Sequence, residues 1–174
     1  MVKLYVCKIC GEPYIGEFSE DCPFCGAQKY YLKPVKEFSE LWKTELTEQE
    51  KKDLKETLDL EINATAYYTK ISENSRKYSK QNRLFKQLTR VEREHAKMAA
   101  KFFNIEMPEI KGENLKGSVK KDLERTKELE KMAVEKYQTF LKNAENKNVK
   151  TFYVALIHAE QGHHEIISEE IKLA

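Results

Sequence analysis

Long apolar runs are missing from this sequence of 174 residues: nothing approaches eighteen consecutive apolar positions, and the first ten residues hold neither a long apolar core nor a cleavage site. Those absences argue against a spanning helix and a secretory leader, so a cytoplasmic protein with no membrane partner is expected. Charge of one sign is missing as well. The 31 basic and 29 acidic residues give a formal net charge of +2 without a long block of either, which removes the electrostatic footprint of a nucleic-acid binder. Glycine and proline are scarce, at six and four, while 40% of residues are hydrophobic and 34% charged. That balance excludes a disordered chain and fits a mostly helical globular one. Cysteine is absent beyond position 25: all four form two Cys-x-x-Cys pairs, Cys7 with Cys10 and Cys22 with Cys25. In a reducing compartment this pattern argues for a metal rather than disulfides.

Residues 1–34 form the first unit, because they hold every cysteine, half of the glycines and three of the four prolines. They are too few to be stabilised by an apolar core alone, so a metal must hold them. Four thiolates make a tetrahedral sulfur site for zinc or iron, and spacing does not choose between the two. Residues 35–46 read as a connector, with Phe38, Leu41 and the single tryptophan, Trp42, able to dock it. Thr47 and Glu50 form a capping box that opens the second unit, 47–174.

In that unit, apolar stripes at alternating spacings of three and four predict four helices. The first starts at the capping box and ends near 75–79; the second spans about 80–103; a connection over 104–116 leads to the third, which starts near Val119 and stops near 146–148; the fourth carries Val149 to Ile167. The two halves look like a repeat. A shift of 69 residues places Leu54, Glu61, Ala64 and Tyr68 on Leu123, Glu130, Ala133 and Tyr137, and a shift of 68 places Glu92 and His95 on Glu160 and His163. Short hairpin loops and a longer middle connection are the connectivity of a ferritin-like four-helix bundle, so the fold class is all-α with a small N-terminal metal module.

Four glutamates interrupt these apolar stripes. Buried carboxylates cost several kcal/mol each unless paired or metal-bound, so four of them require a common explanation. Glu92 with His95 and Glu160 with His163 are Glu-x-x-His pairs on one helical face. Each can bind one metal through the imidazole and bridge to a second through the carboxylate, with Glu61 and Glu130 as terminal ligands. That is the ligand set of a di-iron carboxylate bundle, and mixed oxygen and nitrogen donors suit iron or manganese better than zinc. His158, His164 and Glu94 fall off the pattern. Tyr68 and Tyr137 lie seven residues after Glu61 and Glu130 on the same stripe. They read either as core packing with a hydroxyl satisfied by a ligand carboxylate, or as hydrogen-bond donors and guards on the oxygen-binding side.

With both signatures in view, the whole chain resembles the rubrerythrin family, in the arrangement that places the rubredoxin-like module first. Cys7-Lys8-Ile9-Cys10-Gly11 with Tyr14 and Gly16, and Cys22-Pro23-Phe24-Cys25-Gly26, resemble the rubredoxin knuckles. The resemblance implies a non-haem peroxidase that protects against oxidative stress by reducing hydrogen peroxide to water. It implies a di-iron centre held by Glu61, Glu92, His95, Glu130, Glu160 and His163, an iron (or zinc) on the four cysteines as electron relay, and Tyr68 near the site. Electrons come from a reductase or rubredoxin. Because a small module at one end of a long bundle need not reach its own di-iron site, the expected donor is the module of a second subunit in a head-to-tail homodimer or a multiple of it. One departure stands out: the family pattern adds a carboxylate one turn after the third-helix Glu, where this chain has Ala133. Two alternatives follow, a ferroxidase or oxidase using dioxygen, and a zinc-filled structural or binding protein without redox activity.

Overall fold

The computed structural model describes residues 3–17 and 19–174; the first two residues of the expected 1–34 unit, and Phe18, lie outside it. A short antiparallel sheet comes first, in the order β2-β1-β3, from β1 (Lys3–Cys7), β2 (Pro13–Gly16) and β3 (Leu32–Pro34). Four helices follow: α1 (Glu48–Glu73), α2 (Asn82–Phe102), α3 (Val119–Asn143) and α4 (Lys147–Leu173). The fold is a ferritin-like four-helix bundle with a small strand-bearing module at its N-terminus. No helix among the described residues is long and apolar enough to cross a membrane.

The helix starts follow from capping chemistry. Thr47 Oγ1 accepts from the Glu50 amide and the Glu50 carboxylate accepts from the Thr47 amide, closing the expected capping box on α1. Ser118 and Asn146 cap α3 and α4 through their side-chain oxygens. Two helix ends differ from the periodicity. α1 stops at Glu73, short of 75–79, because Asn74 leaves the helical region and the Asn82 side-chain amide donates to the Ser72 carbonyl at the helix end. α3 stops at Asn143, short of 146–148, because Ala144 is extended and the buried Glu50 carboxylate takes the amides of Glu145 and Asn146 at 3.0 and 2.8 Å. A polar side chain from the start of α1 thus fixes the α3–α4 turn, a contact that stripe periodicity does not encode.

The pairs α1–α2 and α3–α4 form antiparallel hairpins. The crossover over 103–118 returns along α1, held by Lys70 Nζ, which donates to the carbonyls of Gly112 and Glu113 at 3.1 and 2.6 Å, and by Asn63 Oδ1, which accepts from the Glu113 amide at 3.0 Å. Gly112 is needed there: a Cβ would lie 2.6 Å from Ala66 Cβ and 2.9 Å from the Asn63 carbonyl oxygen. At the far end, buried Asp122 accepts from Tyr67 and Tyr78 hydroxyls at 2.7 and 2.6 Å and from the Lys116 amide at 2.5 Å, tying α1, the α1–α2 loop and the crossover to the start of α3.

The N-terminal module rests on its own bundle. Leu41 is buried, and Trp42 packs near Phe38 and under the Lys101 ammonium, 4.4 Å from the ring centroid. Lys101 Nζ also donates to the Cys10 carbonyl at 2.7 Å, and His158 Nε2 lies 3.2 Å from Asp21 Oδ1. The module, though not required to reach its own di-iron site, lies against its own bundle. The connector folds back, and the two cysteine turns meet α2 and α4 of the same chain.

Candidate metal centres

The cysteine cluster is built from two alike turns. In each, the glycine after the second cysteine sends its amide to the carbonyl of the first: Gly11 to Cys7 at 2.8 Å and Gly26 to Cys22 at 2.9 Å. Both glycines hold positive φ, +81° and +68°, which a side chain disfavours. They also allow contact, since a Cβ on Gly11 would lie 2.7 Å from Trp42 Cη2 and one on Gly26 3.2 Å from Ala159 Cβ. All four thiols are buried and mutually within 4.8 Å, with Cys7 Sγ 3.8 Å from Cys25 Sγ and Cys10 Sγ 3.8 Å from Cys22 Sγ. A tetrahedron with metal–sulfur bonds of about 2.3 Å has edges of about 3.8 Å. The cluster therefore fits a single tetrahedral metal ion.

In the bundle, each helix delivers its part of the second cluster. Glu61 from α1, Glu92 and His95 from α2, Glu130 from α3, and Glu160 and His163 from α4 are all buried and converge at mid-height. Two overlapping groups result: Glu61, Glu92, His95 and Glu160 have donor atoms within 4.8 Å of one another, and so do Glu92, Glu130, Glu160 and His163. Glu92 and Glu160 belong to both groups, the position of bridging carboxylates; Glu61 and Glu130 each belong to one. His95 Nδ1 lies 2.9 Å from Glu160 Oε1, 3.1 Å from Glu92 Oε2 and 3.6 Å from Glu61 Oε2. His163 Nδ1 lies 2.9 Å from both Glu92 Oε1 and Glu160 Oε2 and 3.6 Å from Glu130 Oε2. The two rings face each other at 6.1 Å and 22°.

One proton on each Nδ1 cannot serve three carboxylates, and among the described residues Glu92 Oε1 and Glu160 Oε1 have no hydrogen-bond partner. A dication among each group satisfies them all, because donor atoms about 2.1 Å from one metal sit about 3.0 Å apart. The residues present fit two metal ions. Without metal, burial pushes the Glu61 carboxyl up to about 8, with Glu160 adding to it, and burial with Glu92 pushes Glu130 well above the carboxylate range. Burial acts the same way on Glu160 and Glu92 but is outweighed there, by both imidazoles, so those two stay low. Burial disfavours charge on His95 and His163 too, yet Glu160, Glu61 and Glu92 around them raise both well above their usual value. Without metal, protons are thus drawn towards Glu61, Glu130 and the two imidazoles and away from Glu92 and Glu160.

The tyrosines close the cluster crosswise. Tyr68 of α1 donates to Glu130 of α3 at 2.5 Å, and Tyr137 of α3 donates to Glu61 of α1 at 2.5 Å. Between them lies a cavity of about 10 Å³ lined by Ala64, Ala133, Tyr68, Tyr137 and the glutamates, room for about one water-sized molecule. Ala133 and Ala64 both line this space, so the further carboxylate, which would be a seventh ligand, is absent here. Glu128 points out to Arg125.

The opposite side of the cluster meets the cysteine module. His95 Nε2 lies 2.9 Å from the carbonyl oxygen of Cys25. With Nδ1 turned to the carboxylates, Nε2 carries the proton and donates it. Sequence reasoning missed this contact. It depends on where a separate unit docks, and the only local trace is Gly26, a small residue placed where α4 comes closest.

The family model described as Rubrerythrin matches residues 52–133, which cover α1, α2, the crossover and the first half of α3. No curated protein and no solved structure gives a significant match.

Proposed function

Starting from residues 52–133 as a rubrerythrin-family domain, we propose that the chain is a non-haem di-iron peroxidase that reduces hydrogen peroxide to water, with electrons relayed through an iron on Cys7, Cys10, Cys22 and Cys25. Glu61, Glu92, His95, Glu130, Glu160 and His163 are the proposed di-iron ligands. The observation that carries this reading is the bifunctional His95, whose Nδ1 faces the carboxylate cluster and whose Nε2 faces the carbonyl of Cys25. A structural zinc protein has no use for such a bridge between two metal sites.

When bound, a redox-active metal pair supplies two electrons and holds both oxygens of a small oxidant. The rest falls to the protein. The cavity between Ala64 and Ala133 has room for about one water-sized molecule, so it favours a small oxidant. Tyr68 and Tyr137 keep their protons, since burial first and then the facing glutamates raise both hydroxyls well above their usual value. Each therefore stays a donor that holds its glutamate in place beside the cavity. His95 supports the transfer of electrons from the cysteine side through one covalent ring and one hydrogen bond. An external reductase or rubredoxin supplies those electrons, and a head-to-tail homodimer belongs to the same proposal, although the relay within one chain no longer requires it.

A dioxygen-using ferroxidase is the second reading, favoured by the symmetric six-residue cluster with alanine at both positions that flank the cavity. Anaerobic reduction followed by stopped-flow mixing with peroxide and, separately, with dioxygen decides between them. Faster reoxidation by peroxide supports the peroxidase, and faster reoxidation by dioxygen refutes it. Iron-loaded protein without visible iron–thiolate absorption refutes the relay.

A further inference from the structure

The two hairpins repeat each other in every proposed ligand, but a pair of buried hydroxyls in the first has no counterpart in the second. Helical threonines in this bundle return their hydroxyls to the carbonyl four residues back: Thr57, Thr69, Thr126, Thr139 and Thr151 all do so, at 2.7–3.1 Å. Thr65 and Thr89 do not. Their hydroxyl oxygens are buried and, among the described residues, have no hydrogen-bond partner, and Thr65 has no exposed surface at all. The α1–α2 register brings the two together, because Tyr68 meets Phe85 and the Ser72 carbonyl meets Asn82 in an antiparallel pair, which sets Thr65 opposite Thr89. Thr89 stands one turn before Glu92 on the same helix, which puts the seam beside a glutamate of the cluster. In the second hairpin the equivalent positions are Val134 and Ile157.

Two unpartnered buried hydroxyl oxygens facing each other across one seam call for a shared partner, since each such atom costs about 1–3 kcal/mol if left dry. Water is the partner that can both donate and accept among them. On the outer face at the same height, a cavity of about 480 Å³ beneath the crossover is lined by Ala66, Thr69, Arg93 and Gly112. We propose that Thr65 and Thr89 hold a buried water site on the α1–α2 seam that carries protons from this outer cavity to the cluster, so that a symmetric centre has a proton supply on one side only. The relay rests on the peroxidase reading. There, splitting the O–O bond of one hydrogen peroxide into two waters consumes two electrons, supplied through the Cys25–His95 contact, and two protons, supplied through the seam.

Two measurements test it. A high-resolution crystal structure of the whole protein should show a water within hydrogen-bond distance of both Thr65 Oγ1 and Thr89 Oγ1, and a dry seam overturns the site. Peroxide reoxidation of the reduced T65V/T89V protein should be about 100-fold slower than wild type, the low end for loss of a positioned proton carrier, with a larger solvent deuterium effect. T65S/T89S should restore both, and Thr151→Val should change neither. An unchanged rate and isotope effect in T65V/T89V overturns the relay. A wild-type protein that does not react with peroxide refutes the proposed function and the relay with it, and the crystallographic density then decides the water site alone.

Discussion

A tyrosine hydroxyl aimed at a buried glutamate satisfies one oxygen and leaves the other for a metal. Tyr68 and Tyr137 do this for Glu130 and Glu61 from the opposite helix. Tyr137→Phe should weaken metal binding at the bundle site by about 10–100-fold, the usual cost of removing a ligand's outer partner, while leaving the cysteine site loaded; metal titration followed at both sites checks this. Glu92→Ala removes a shared bridge and should abolish binding of both bundle metals, and a retained pair refutes the ligand assignment. Protonation gives a third expectation. Glu61, at about 8, and Glu130, His95 and His163, all raised, hold protons in the metal-free site that metals must displace. Affinity should therefore rise with pH through the neutral range, with proton release seen by calorimetry in buffers of different ionisation enthalpy.

Among the elements, the hairpins were legible in the sequence and their ties were not. Stripes at three and four spacing placed Glu61, Glu92, Glu130 and Glu160 on inward faces, because helical period is a local property. The ends of α1 and α3 came out too long, because Asn82 and Glu50 reach across the fold to stop them. Asp122 is another such tie, and with Glu50 and Glu113 it shares a carboxyl held below its usual value despite burial, by hydrogen bonds from Tyr78 and Lys116 to Asp122, from Thr47 and Asn146 to Glu50, and from Arg125 to Glu113, where it falls to about 2. A lowered carboxyl stabilises the fold above its unfolded value of about 4 and loses that contribution as pH falls through the folded value. Melting temperature should thus drop steeply below about pH 4, and Asp122→Asn should flatten that drop. Gly112→Val forces the crossover off α1 and should cost roughly 1–3 kcal/mol by denaturant unfolding.

At the scale of the whole molecule, one small contact links the cysteine cluster to the bundle cluster. Gly26 lets the Cys22–Cys25 turn approach Ala159, and this places the Cys25 carbonyl on His95. Gly26→Val should leave both metal sites loaded yet slow re-reduction of the bundle site through the cysteine metal, measured by single-turnover kinetics. The ligand types of each site were readable from their spacing. Their proximity was not, since the connector could have carried the module anywhere within reach, and only packing of Leu41 and Trp42 decides it. The crossed tyrosines also join the two hairpins. Each hairpin carries two glutamates and one histidine but borrows the hydroxyl that finishes its own terminal glutamate from the other. Neither hairpin is therefore complete alone, and the crossover over 103–118 ties together two halves that each finish the other's site.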